Sequence, residues 1–189
     1  GQYFLCFTNF LVTGERLSEL AAEHDAVSWV QLRRNYGLTQ ALQAGFDHAS
    51  GDNIVTISTN PQNDPADIPM LIAKLEEDAD VYAGWRHDLD GGWLTCQGLR
   101  WLINWIISKV SGVKLHDYDC SLRAFRLMAV QDLQLSGNLD RYIPVYVAWH
   151  SGRVVEAPVT QLPRSHGLVR RESTARRSLK NLLDLGFLN

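Results

Sequence analysis

Residues 27–57, VSWVQLRRNYGLTQALQAGFDHASGDNIVTI, decide the fold. Val27 to Leu32 is a short β-favouring run. It is followed by Tyr36 to Ala49, in which Leu38, Ala41, Leu42, Gly45 and Phe46 fall on one face at helical spacing, and then by a second apolar run, Ile54 to Ile57. A strand, a helix of that length and another strand form a unit whose two strands can lie parallel only if the helix crosses over one face of the sheet.

The same alternation extends in both directions. Upstream, Tyr3 to Phe7 predicts a buried strand and Glu15 to His24 a helix carrying Leu17, Leu20 and Ala21. Downstream, Pro65 to Glu77 predicts a helix and Asp80 to Ala83 a strand. The polar stretch His87 to Gly92 reads as a loop; beyond it come an aromatic-rich helix, Leu94 to Val110, and a strand, Ser121 to Arg126. A helix over Arg141 to Ser151 and an extended segment, Arg153 to Gln161, broken by Pro158, complete the pattern. The expectation is a single α/β domain over 1–189, with a mostly parallel sheet and helices on both faces.

Composition bounds the function. With 46% hydrophobic and 21% charged residues, the 189-residue chain folds rather than staying disordered. Three cysteines, Cys6, Cys96 and Cys120, form no metal-type spacing and read as reduced, mostly buried thiols. No run reaches the length of a membrane span and no secretory leader is legible, so the expected compartment is the cytoplasm. Arg164, Arg170, Arg171, Arg176, Arg177 and Lys180 face only Glu172 between positions 164 and 180, which gives an acidic body a basic tail suited to an anionic partner. Nucleic acid is a poor candidate, because that tail lacks interleaved aromatics.

Ligands of open parallel sheets bind outside the carboxyl ends of the strands. The corresponding loops are Thr8-Asn9, Arg33 to Gly37, Ser58 to Asn63 and Gly84-Trp85-Arg86. Arg34-Asn35-Tyr36-Gly37 followed by Ala41, Ala44-Gly45 and Phe46, Gln62-Asn63 with Pro65 and Asp67-Ile68-Pro69, Gly84-Trp85-Arg86, Gly112-Val113, His116-Asp117-Tyr118 with Cys120, Leu122 and Arg126, and Pro163-Arg164 with Gly167 make the sequence resemble family 2 glycosyltransferases of GT-A (Rossmann-like) fold, specifically polyprenyl-phosphate sugar synthases.

The resemblance implies sugar transfer from a UDP- or GDP-linked donor to a polyprenyl phosphate, with inversion at the anomeric carbon. It implies nucleotide-sugar contacts at Thr8, Asn9, Asn35, Gly37, Ser58 and Asn60, and catalytic roles for Arg86, Asp117 and Arg164. Arg86, Arg164 and Arg170 would bind phosphate, as bidentate guanidinium chemistry suits. The family's Mg²⁺ or Mn²⁺ would fall to Asn60 and Gln62, a weak site, because Thr8-Asn9 and Ser58-Thr59-Asn60 stand where relatives carry acidic motifs. Loss of both acidic motifs makes a non-catalytic relative, binding a phosphate-bearing ligand, a lipid or a protein, the rival expectation.

The family's first strand and helix are expected to be missing. The basic amphipathic stretch 170–189 is expected to touch a membrane surface at its inner face. Other residues keep simpler alternatives. Asp117 is a sugar contact or a turn cap, His116 a structural histidine rather than a base, and Asp67 a helix cap. Trp101 and Trp105 are expected to pack in the core.

Overall fold

The computed structural model describes residues 3–7, 11–58, 63–86, 94–137 and 139–162. In chain order the elements are β1 (Tyr3–Phe7), α1 (Leu11–Glu23), β2 (Val27–Gln31), α2 (Leu38–His48) and β3 (Asn53–Thr56). A 3₁₀ turn (Pro65–Asp67) leads into α3 (Ile68–Asp78), β4 (Val81–Arg86), α4 (Leu94–Ser111), β5 (Arg123–Arg126) and α5 (Leu127–Val130). A second 3₁₀ turn (Leu139–Tyr142), α6 (Ile143–Trp149) and β6 (Val154–Val159) complete the order.

β1 and β2 pair in parallel, Tyr3 opposite Val27. The other four strands form a sheet in the order β3-β5-β4-β6. β5 runs antiparallel to both neighbours and β6 parallel to β4, so β3, β4 and β6 share one direction and β5 alone is reversed. That reversal is anchored at its end: Arg126 N–H donates to Asp80 O (2.9 Å) and Leu127 N–H to Asp52 O (2.8 Å). β6 lies at an edge of this sheet, which is why Pro158 is accommodated inside the strand rather than breaking it.

Helices cover both faces. On one, Leu71 and Leu75 of α3, both fully buried, pack on Tyr82, Ala124, Ala157 and Val159. On the other, Phe46 of α2 and Ile143 and Val147 of α6 pack on Val81 and Phe125. The period-two alternation of β4 and β5 thus divides the core between two helix layers. Each fully buried leucine contributes about 1.5–3 kcal/mol.

Three local features differ from the sequence expectation. α2 starts at Leu38, not Tyr36, because Gly37 sits at φ 92° and Asn35 Oδ1 accepts its N–H (3.0 Å), a turn that cannot be helical. Asp67 is not the side-chain cap expected of it. Asp64 accepts the Ala66 N–H (2.9 Å), while Asp67 accepts the Thr160 N–H (2.6 Å) and so pins the start of α3 to the end of β6. Trp105 is not core: it is 48% exposed, with the Lys109 ammonium 6.0 Å from its ring centre. The side chain of Trp101 lies outside the described residues. Cys120 is a buried thiol, as expected.

Gly84 admits no side chain. A Cβ there would sit 2.5 Å from Leu122 O and 2.9 Å from Cys120 Sγ, because β4 and the approach to β5 are in contact. We expect Gly84→Ala to destabilise by at least the ~1–3 kcal/mol of core overpacking. A urea midpoint equal to that of the wild type would contradict this packing.

Candidate functional site

The turn His116 to Cys120, between α4 and β5, closes over the carboxyl end of β4, and every element around it contributes a tether. From β4, Arg86 donates through Nε to Asp117 Oδ2 (2.6 Å) and through Nη2 to Asp117 Oδ1 (2.9 Å). This bidentate pair is buried, with Arg86 7% and Asp117 2% exposed. Burial opposes the guanidinium charge, but the hydrogen bond and charge of Asp117 outweigh it and raise Arg86 above the ordinary arginine value.

From β6, Glu156 Oε1 accepts the backbone N–H groups of His116 (2.6 Å) and Asp117 (3.2 Å), and Oε2 lies 2.7 Å from His116 Nδ1. From β5, Arg123 donates through Nη2 to Tyr118 O (2.7 Å) and through Nη1 to Asp140 O (2.7 Å). Burial lowers the pKa of Arg123, whose nearest anions act only through charge, and its Nε has no hydrogen-bond partner among the described residues. Arg141 Nε meets Asp119 Oδ1 at 2.8 Å. Asn63 Nδ2 donates to Ser121 Oγ (3.0 Å), and Asn104 Nδ2 to His116 O (2.7 Å).

Within the turn, Asp117 Oδ1 also accepts the Asp119 N–H (3.1 Å). Asp117 is therefore both the turn cap that its position suggests and the partner of Arg86. The ring of His116 stacks on Trp85, centroids 4.6 Å apart and planes at 23°.

Of the residues singled out from sequence, Arg86 and Asp117 are brought into contact. Asn35 and Gly37 shape the exposed loop after β2, where the Arg34 guanidinium lies 4.7 Å above the Tyr36 ring. Ser58 is exposed just beyond β3. Thr8, Asn9, Asn60, Gln62, Arg164 and Arg170 lie outside the described residues, as does the stretch 170–189. Among the described residues, no group of three or more His, Cys, Asp and Glu side chains is placed to hold a metal ion, and no helix is long and apolar enough to cross a membrane. Sequence reasoning passed over Glu156, Arg123 and Arg141. The available signal was an acidic residue at an alternate position of β6, sharing a face with Val154.

The model of glycosyl transferase family 2 matches residues 12–134. The chain is 40% identical over 146 residues to a dodecaprenyl-phosphate galacturonate synthase of Rhizobium johnstonii, covering 76% of this chain and 43% of that protein. It is 34% identical over 138 residues to an undecaprenyl-phosphate 4-deoxy-4-formamido-L-arabinose transferase of Edwardsiella ictaluri, covering 73% and 42%. The chain thus spans less than half the length of these curated relatives.

Among solved structures it superposes on glucosyl-3-phosphoglycerate synthase from Mycobacterium tuberculosis, in complex with Mn²⁺, UDP and glucosyl-3-phosphoglycerate, with TM-score 0.70 and 12% identity; the match covers all of this chain and 70% of that one. A mannosyltransferase from Pyrobaculum calidifontis, in complex with GDP-Man and Mn²⁺, gives 0.60 at 17% identity, covering 89% and 48%. At these identities the likeness is one of fold, and the fold is GT-A.

Removing one partner of a buried pair strands the other charge, at a cost of about 3–5 kcal/mol, whereas replacing both by apolar groups is often near neutral. We expect Arg86→Met alone to lower stability on that scale and Arg86→Met/Asp117→Leu to recover most of the loss, read by urea denaturation. Losses that simply add would contradict the pairing.

Proposed function

Because the chain belongs to glycosyltransferase family 2, we propose that it carries the sugar-transfer unit of a polyprenyl-phosphate sugar synthase. The observation that supports this best is the 40% identity, over three quarters of the chain, to a protein named for galacturonate and dodecaprenyl phosphate. In this reading an oxygen of the lipid phosphate attacks the anomeric carbon of a UDP- or GDP-linked sugar. The bond from that carbon to the nucleoside diphosphate breaks in line, inverting the centre. The acceptor is already ionised at neutral pH, so no residue is required to remove its proton.

The roles follow from the chemistry of the side chains. Arg86, locked by Asp117, presents a guanidinium of fixed orientation toward phosphate, with Arg164 and Arg170 adding charge from the basic tail. Asp117 sets that orientation from the inner side of the turn. Thr8, Asn9, Asn35, Gly37, Ser58 and Asn60 line the nucleotide-sugar side. A divalent Mg²⁺ or Mn²⁺ would neutralise charge on the leaving diphosphate. This chain offers it the amide oxygens of Asn60 and Gln62, a neutral and therefore weak donor set. The basic stretch 170–189 meets an anionic membrane surface, where the lipid acceptor resides, and the protein is peripheral at the cytoplasmic face.

A second reading is favoured by one specific feature, the neutral residues at 8, 9, 58 and 60. There the chain is a non-catalytic relative that binds a phosphate-bearing ligand, a lipid or a protein partner without turnover and without a metal.

Calorimetric titration with UDP-galacturonate, UDP-glucose and GDP-mannose, with and without Mn²⁺, separates the two. The synthase reading expects micromolar binding of one of them that weakens at least tenfold when Mn²⁺ is removed. No binding by a chain shown to be folded would contradict it and favour the second reading.

A further inference from the structure

The turn that carries Asp117 presents a different side chain outward. Asp117 is 2% exposed and turned into Arg86, whereas the side chain of the preceding residue, His116, is 69% exposed. Yet His116 is held at four points. Its backbone N–H is bonded to Glu156 and its carbonyl to Asn104; its Nδ1 is 2.7 Å from Glu156 Oε2, and one ring face lies on Trp85.

Glu156 itself is largely withdrawn from solvent, with its side chain 11% exposed. It stands opposite Ala83 in the β4–β6 register, two residues before the position opposite Trp85. Both therefore project on the same face, and the imidazole bridges them at the carboxyl end of β4, where ligands of open α/β sheets bind.

A carboxylate oxygen accepts, so Nδ1 is the donor in its contact with Glu156, and Nε2 is the ring nitrogen that Glu156 does not engage. Holding an exposed ring in one orientation costs conformational entropy. Packing alone does not need an outward edge fixed in this way. A ring nitrogen held in place beside a stacked aromatic matches a ligand that carries hydroxyl groups on a ring.

We propose that His116 is the ligand-contacting side chain of this turn. Its Nε2 hydrogen-bonds a hydroxyl of the sugar on the nucleotide sugar, with Glu156 and Trp85 as its positioning residues. This rests on the nucleotide-sugar reading above and adds to it the residue that distinguishes the sugar from the bare nucleotide.

The test uses the full 189-residue chain with Mn²⁺ and the tightest-binding of UDP-galacturonate, UDP-glucose and GDP-mannose. Its matching nucleoside diphosphate is titrated in parallel. His116→Ala is expected to weaken the sugar nucleotide roughly three- to tenfold, the scale of one lost hydrogen bond, and to leave the diphosphate unchanged. Glu156→Gln is expected to shift the sugar nucleotide in the same direction by less. Should His116→Ala fail to fold, His116→Gln gives the same comparison, with a polar end retained.

Imidazole nitrogen shifts of the wild type provide a second reading: His116 resonances that respond to the sugar nucleotide and not to the diphosphate. Equal affinities of variant and wild type would overturn the proposal, and so would parallel losses for both ligands, which mark a merely structural histidine. Wild-type chain that binds none of the three sugar nucleotides would instead remove the nucleotide-sugar reading, and this proposal with it.

Discussion

A guanidinium and a carboxylate taken out of water are tolerated only when each satisfies the other, and the pair of Arg86 and Asp117 meets that condition with two short hydrogen bonds. The surroundings of the carboxyl end of β4 are arranged around this constraint. The turn must stay against β4 to keep Asp117 in place, so Glu156 holds its backbone from β6 and Arg123 from β5, while Arg141, in the 3₁₀ turn before α6, holds the Asp119 side chain. The same constraint fixes β5 as the reversed strand between β3 and β4, since the chain leaves the turn directly into it.

The buried pair also bears on chemistry. An arginine whose geometry is set by a carboxylate does not reorganise when an anion arrives, which is how preorganised electrostatics differ from a flexible surface charge. In the proposed function Arg86 would thereby be a rigid donor at the carboxyl end of β4, held from behind by Asp117. The outward side of the turn passes to His116, whose orientation is set by the same Glu156 that holds the backbone. One carboxylate on an edge strand thus aligns both the buried pair and the exposed ring.

Much of the fold was legible in the sequence because strands and helices here have clean periods. Tyr3–Phe7 is found as expected, and the two helix layers follow from the alternation of Val81, Tyr82 and Ala83. The reversal of β5 was not legible, since a run such as Arg123–Arg126 carries no direction. Arg86 and Asp117 were each singled out from the sequence, but their pairing spans 31 positions and leaves no local trace. Glu156 was missed because a lone glutamate in an extended segment reads as surface. Trp105 was misjudged because helical spacing shows that residues share a face without saying which way that face points.

The central claim is that the turn is prefolded by Glu156 before any ligand arrives. Hydrogen exchange of the His116 and Asp117 amides, resolved by NMR on the ligand-free chain, tests it most directly. Protection approaching that of the Val81 and Phe125 amides in the sheet is the predicted result. Exchange at unprotected rates, with the sheet itself protected, would mean that the turn is not held in solution and would contradict the account.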